Sequence, residues 1–153
     1  MGGRGWQAFA FVQTASNNVL LMQERTLIGG GVRKRVLDGE GGWFDFAWGP
    51  FSEKEVYDAE TLEPQQDLIR SSWTIASEWH VSEKLDWRNT IYLQSDMASW
   101  QDSRFYYESA ANMAISEQLS FEFSLVCRRD SDPHAGLKPV DLGTAFGLRW
   151  EVN

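Results

Sequence analysis

Apolar side chains recur at every second position over most of the chain, and no other feature limits its fold so firmly. In residues 140–152, Leu142, Thr144, Phe146, Leu148, Trp150 and Val152 fall on one side, and Gly143, Ala145, Gly147, Arg149 and Glu151 on the other. Successive side chains of an extended strand point to opposite faces, so a period of two means a sheet with one oily face and one small or charged face. The same alternation sets Ile69, Trp73, Ile75 and Trp79 against Arg70, Thr74 and Glu78. It sets Leu85, Trp87, Ile91 and Leu93 against Arg88, Thr90, Tyr92 and Gln94, and Phe105, Tyr107, Ala111, Met113 and Ile115 against Tyr106, Glu108 and Asn112. It sets Leu119, Phe121, Phe123, Leu125 and Cys127 against Ser120, Glu122, Ser124 and Arg128, and Phe44, Phe46 and Trp48 against Asp45. The pattern predicts about eight strands, at residues 6–13, 24–37, 42–52, 68–80, 84–95, 104–115, 118–129 and 139–152. The one helical candidate lies within "SEKEVYDAETLEPQQD", where Pro64 and a mixed pattern favour a loop.

The connections take turns. Residues 14–23, 53–67, 96–103 and 130–138 are long, while "DGEG" (38–41), "VSEK" (81–84) and "SEQ" (116–118) are short. Up-and-down outer-membrane barrels alternate in this way, and strands of roughly 10–14 residues suit a bilayer crossed at a tilt better than the usual globular length. The fold expected is therefore all-β, a single domain over residues 1–153, built as an antiparallel up-and-down β-barrel of about eight strands. Both termini fall at the short-turn end.

In such a barrel the polar face lines the bore. Its charges are Arg33, Arg35, Arg70, Glu78, Arg88, Glu108, Glu122, Arg128, Arg149 and Glu151. Mixed signs let them pair, so the interior reads as a polar plug. An ordinary sheet with its charged face in water produces the same alternation. Strand direction puts Trp79, Trp87 and Trp150 near the short turns and Phe105 and Tyr107 near the other rim, an aromatic belt of the kind that bilayer interfaces select. Against this, Ser71, Ser77, Asn89, Ser109 and Thr144 also fall on the oily face, where lipid offers few partners. They favour a water-soluble or oligomeric form.

Composition narrows the function. The formal charge of −8, with no basic run, argues against nucleic-acid binding. A single cysteine, Cys127, leaves no internal disulfide and no cysteine-based metal site. The start "MGGRGWQAFAF" has no apolar h-region and no secretory signal, and reads as either a cytoplasmic chain or a mature form given a new Met. No apolar run is long enough for a transmembrane helix. His80 and His134 have no ligand spacing, so no metal and no cofactor are expected. In "RDSDPHAG", Asp130 and Asp132 could meet a hard cation, but turn chemistry explains the residues better, with Gly136 supplying φ > 0. "IGGGVR" (28–33) is not followed by Lys-Ser/Thr and is not a phosphate loop. "GGW" (41–43) matches the Gly-x-Trp of lipocalins over three residues only. No catalytic triad is formed by the sequence pattern, and the Glu/Arg face suits structural ion pairs better than an acid pair.

The stretch "SEQLSFEFSLVCRRDSDPHAGLKPVDLGTAFGLRWEV" (116–152) carries the order D-S-x-P-x-x-G-x-K-x-x-D before a closing alternating strand, with Asp130, Asp132, Pro133, Gly136, Lys138 and Asp141 in its loop. It resembles the C-terminal end of the YdiY-like salt-induced outer-membrane proteins, a family of uncharacterised outer-membrane β-barrels. "ERTLIGGGVRKRVLD" and "DLIRSSWTIASEWHVSEKLDWRNTIYLQSD" are similar to an earlier strand and the middle hairpin of that family. The likeness runs from about Trp6 to Val152. The chain departs from the family in lacking earlier strands around a Ser-Gly-Asn-Thr-like turn, and in ending on Val152 and Asn153 rather than on an aromatic residue.

The resemblance implies a bacterial outer-membrane envelope protein without catalytic activity, linked to salt or osmotic stress. It would contact the lipid bilayer or detergent and not nucleic acid, and an eight-strand bore would be narrow or plugged, a pore only as a homo-oligomer. The alternative is a water-soluble β-barrel that binds a small apolar ligand or self-assembles into a homo-oligomeric shell.

Overall fold

The computed structural model describes residues 5–17, 22–57, 66–133 and 138–151. They form eight strands: β1 (Trp6–Asn17), β2 (Met22–Gly39), β3 (Gly42–Tyr57), β4 (Gln66–Ser82), β5 (Leu85–Asp96), β6 (Ser103–Ala114), β7 (Leu119–Asp130) and β8 (Val140–Trp150). All belong to one sheet in sequence order, each strand antiparallel to the next. The all-β, up-and-down expectation holds. The closed barrel does not: β1 and β8 form the two edges of the sheet and do not pair with each other.

The first four strands outrun their predicted lengths. β1 continues to Asn17, β2 begins at Met22, and β3 runs on to Tyr57. In the last case Glu53 and Glu55 alternate with Lys54 and Val56, and the strand period survives in charged residues. The rest of the helical candidate, residues 58–65, lies outside the described residues. β2 and β3 meet in a tight turn at Glu40–Gly41, and Gly42 opens β3 opposite Gly39. Gly42 has φ of +135°, and an added Cβ would run into the Glu78 carbonyl of β4. Only glycine fits both demands.

The sheet curls toward its charged face. Arg104 of β6 lies on the rung of Gly49 of β3, through Gln94 and Ser72. Glu53 is four residues further along β3. In a flat sheet their Cα atoms would stand roughly 19 Å apart, given about 4.8 Å per strand and 3.3 Å per residue. An extended Arg–Glu pair does not reach that far, yet Arg104 Nη1 donates to Glu53 Oε1 at 2.6 Å. Only strong curvature brings these groups together.

Candidate functional site: the two faces of the curled sheet

Direct cross-strand partners share a face, so the pairing sorts every strand residue. The convex face carries Ile28, Val32, Phe46, Trp48, Trp73, Ile75, Trp79, Trp87, Ile91, Phe105, Phe121, Phe123, Phe146 and Leu148. Many are open to the surroundings, most of all on β8, where Leu142, Phe146, Leu148 and Trp150 are 63–71% exposed. The concave face carries most of the charges, while Lys34, Lys54 and Arg129 fall on the convex one.

Those charges form one dense cluster and several isolated pairs. The cluster sits toward the long-connection end. Glu53, fully buried, takes Arg25, Arg70 and Arg104. Glu55 takes Arg25 and Arg104, each at 3.2 Å. Arg104 also reaches Asp130 at 3.0 Å. Arg70, 1% exposed, holds both carboxylate oxygens of Asp102, at 3.0 and 2.7 Å, and so ties the β5–β6 connection (97–102) over the cluster. Backbone bonds fix that connection, Met97 N–H to the Ile69 carbonyl and Asp96 N–H to the Asp102 carbonyl, both at 2.9 Å. Buried charges survive only when paired and hydrogen-bonded, and here every guanidinium meets more than one acceptor.

Nearer the short turns, Arg33 and Arg35 converge on buried Asp45, and Arg35 stacks on Trp43 at 4.6 Å. Elsewhere each charge has one partner: Glu78 with Arg88 at 3.0 Å, Glu122 with Arg149 at 2.7 Å, and Arg128 with Asp141 at 3.5 Å. Glu108 accepts from the Tyr106 hydroxyl at 2.7 Å, and Glu151 is exposed beyond β8. Arg33, Arg35, Arg70, Glu78, Arg88, Glu108, Glu122, Arg128 and Arg149 therefore do share a face. Sequence reasoning missed Arg25, Glu53, Glu55, Asp102 and Arg104, the centre of the cluster. The signal was the Phe51–Glu53–Glu55 alternation, hidden by its polarity.

The cluster roofs a small apolar patch on the same face. Leu27 and Phe51 are the buried hydrophobic side chains among the described residues. Phe9, Phe11 and Phe51 follow at ring separations of 6.4 and 6.3 Å, over Gly29, Gly31 and Gly49, where backbone and ring atoms leave no room for a Cβ.

On the convex face several polar side chains are matched in pairs. Trp48 Nε1–H donates to Ser71 Oγ at 2.9 Å, and Trp87 Nε1–H to Ser109 Oγ at 2.7 Å. In both, the serine lies two residues before the rung partner of the tryptophan, Trp73 or Ala111. The Tyr107 hydroxyl donates to Asn89 Oδ1 at 3.2 Å. Ser77 is buried opposite Asn89, while Thr144 stays exposed. Trp79 and Trp87 pair directly, and Trp150 pairs with Leu119, beside the β6–β7 turn. Phe105 shares a rung with Leu93, Trp73 and Trp48, and Tyr107 with Ile91, Ile75 and Phe46. Trp48 and Trp73 thus join an aromatic row that the sequence reading had not assembled.

Of the loop residues, Asp130 accepts from Asp132 N–H at 3.0 Å as well as from Arg104, which is turn chemistry and ion pairing. Pro133, Lys138 and Asp141 flank residues 134–137, which lie outside the described residues with Gly136 and His134. His80 Nδ1 lies 2.6 Å from Asp86. Among the described residues there is no group of three or more potential metal ligands and no helix long and apolar enough to cross a membrane. Cys127, a free thiol, sits on the convex face.

No curated protein and no solved structure matches the chain. Residues 3–151, nearly its whole length, match one family, and on that match the chain belongs to the family described as "Protein of unknown function, DUF481".

Proposed function

We propose that the sheet is the wall of a β-barrel spanning the bacterial outer membrane. Its apolar convex face meets lipid, its charged concave face lines a narrow, plugged bore, and it acts as a non-catalytic envelope component. A role in salt or osmotic stress belongs to the same proposal and rests on family resemblance alone. The observation that carries the reading is the treatment of polar groups on the convex face. In water, an indole N–H or a serine hydroxyl finds solvent partners. In lipid each needs one from the protein. Trp48–Ser71, Trp87–Ser109 and Tyr107–Asn89 supply such partners, while large apolar side chains stay outward. The concave cluster of Arg25, Glu53, Arg70 and Arg104 suits the plug. Expressed protein is expected to sediment with membranes, to need detergent for extraction, and to run faster on gels before boiling than after. Protein that stays in solution without detergent and shows one gel mobility sinks the reading.

The concave patch of Phe9, Phe11, Leu27 and Phe51 favours a second reading, a water-soluble β-barrel that holds a small apolar ligand. Detergent-free solubility with saturable quenching by such a ligand would support it.

A further inference from the structure

Among the described residues the edge of β8 has no pairing partner for its backbone, and neither has the edge of β1. A long unguarded edge is a template for another strand, and in lipid its free N–H and C=O groups have no solvent to bond. Something must cover both edges, and the two fit each other. In an eight-stranded meander the first and last strands run antiparallel. They also match in length, 12 and 11 residues.

The rungs of the sheet fix how they would meet. Followed from Trp6, the direct partners are Lys34, Phe46, Ile75, Ile91, Tyr107, Cys127 and Leu142. A walk across the sheet thus climbs from the start of β1 to near the start of β8. A barrel closes when this climb equals its stagger. Full overlap of the two strands sets Trp6 against Trp150, eight residues beyond Leu142. A stagger of about eight for eight strands is the ratio found in closed (β/α)8 barrels. The number is even, so the oily face of β1 continues the oily face of β8.

We infer that β1 and β8 of one chain pair at this register and close the sheet. The inference rests on the membrane-barrel reading. On the concave side Phe9 faces Gly147, Phe11 faces Ala145, and Gln7 faces Arg149. An added Cβ at Gly143 or Gly147 meets nothing within 4 Å, so the concave side of β8 has open space for the two rings. On the convex side Ala8 faces Leu148 and Ala10 faces Phe146, small against large. The tight curl of β3 to β6 favours closure on the same chain over a wider ring shared by two copies.

Cysteines at Ala10 and Phe146, in a chain whose Cys127 is replaced by Ser, test the register in detergent micelles under mild oxidation. A disulfide within one chain is expected, found as one joined peptide pair at monomer mass. Cysteines at Ala10 and Leu142, roughly 13 Å off register along the strand, are expected to stay reduced. A disulfide between two chains would mean that a second copy completes the ring, and a reactive Leu142 pair or two inert pairs would mean a different seam; each overturns the inference. The same reaction without detergent separates the two claims. An intrachain Ala10–Phe146 bond in plain buffer keeps the seam and removes the membrane.

Discussion

At the scale of single residues, burial decides which ion pairs matter. Glu53 is itself closed to water and pairs with three guanidinium groups. Glu53→Gln leaves Arg25, Arg70 and Arg104 short of an anion and is expected to cost about 3–5 kcal/mol. Glu78→Gln touches a pair whose Arg88 side chain is 68% exposed, and is expected to cost about 0–1 kcal/mol. Denaturant unfolding of the two variants checks the ranking. The indole–serine bonds invite a double-mutant cycle. Trp87→Phe and Ser109→Ala are expected to couple by about 0.5–1.5 kcal/mol, because Trp87→Phe strands the buried Ser109 hydroxyl and Ser109→Ala removes the acceptor of the indole N–H. A coupling near zero would mean that solvent already serves both groups. These diagonal pairs were not legible in the sequence. It shows Ser71 and Ser109 only as polar breaks in an oily face, and their partners lie on another strand, two positions off the rung.

At the scale of strands, the two faces of β4 should respond in opposite ways to the same charge. Ile75→Arg puts a cation on the convex face and is expected to destabilise the protein in lipid by about 2–4 kcal/mol, while Thr74→Arg, on the concave face, costs much less. Unfolding in vesicles reads the difference; equal costs would place water on both sides. At the β2–β3 turn, Gly42→Ala meets a positive φ and the Glu78 carbonyl together, and is expected to cost about 1–3 kcal/mol in the same assay. Strand existence and facing were readable because the period of two persists through β4 to β8 almost without interruption. Strand ends were not. β3 passes from Phe46 and Trp48 into Glu53, Lys54 and Glu55, where the alternation is between two polar environments and hydrophobicity carries no signal. The carboxylates at the centre of the charge cluster, Glu53 and Glu55, fell in that blind stretch.

At the scale of the whole molecule, order and direction of the strands followed from the short turns, since each hairpin forces its neighbour to run back beside it. Curvature did not follow, because it depends on contacts such as Arg104–Glu53 between strands that are not neighbours. Nor did the open seam, since alternation describes faces and is silent about edges. The exposed belt of Leu142, Phe146, Leu148 and Trp150 has a consequence for the newly made chain. Until it reaches its final surroundings, this stripe is adhesive, and copies meeting in water would clump along it. A holding chaperone that shields aromatic stripes would then decide how much protein arrives, and dilute refolding without such a shield should turn cloudy as concentration rises.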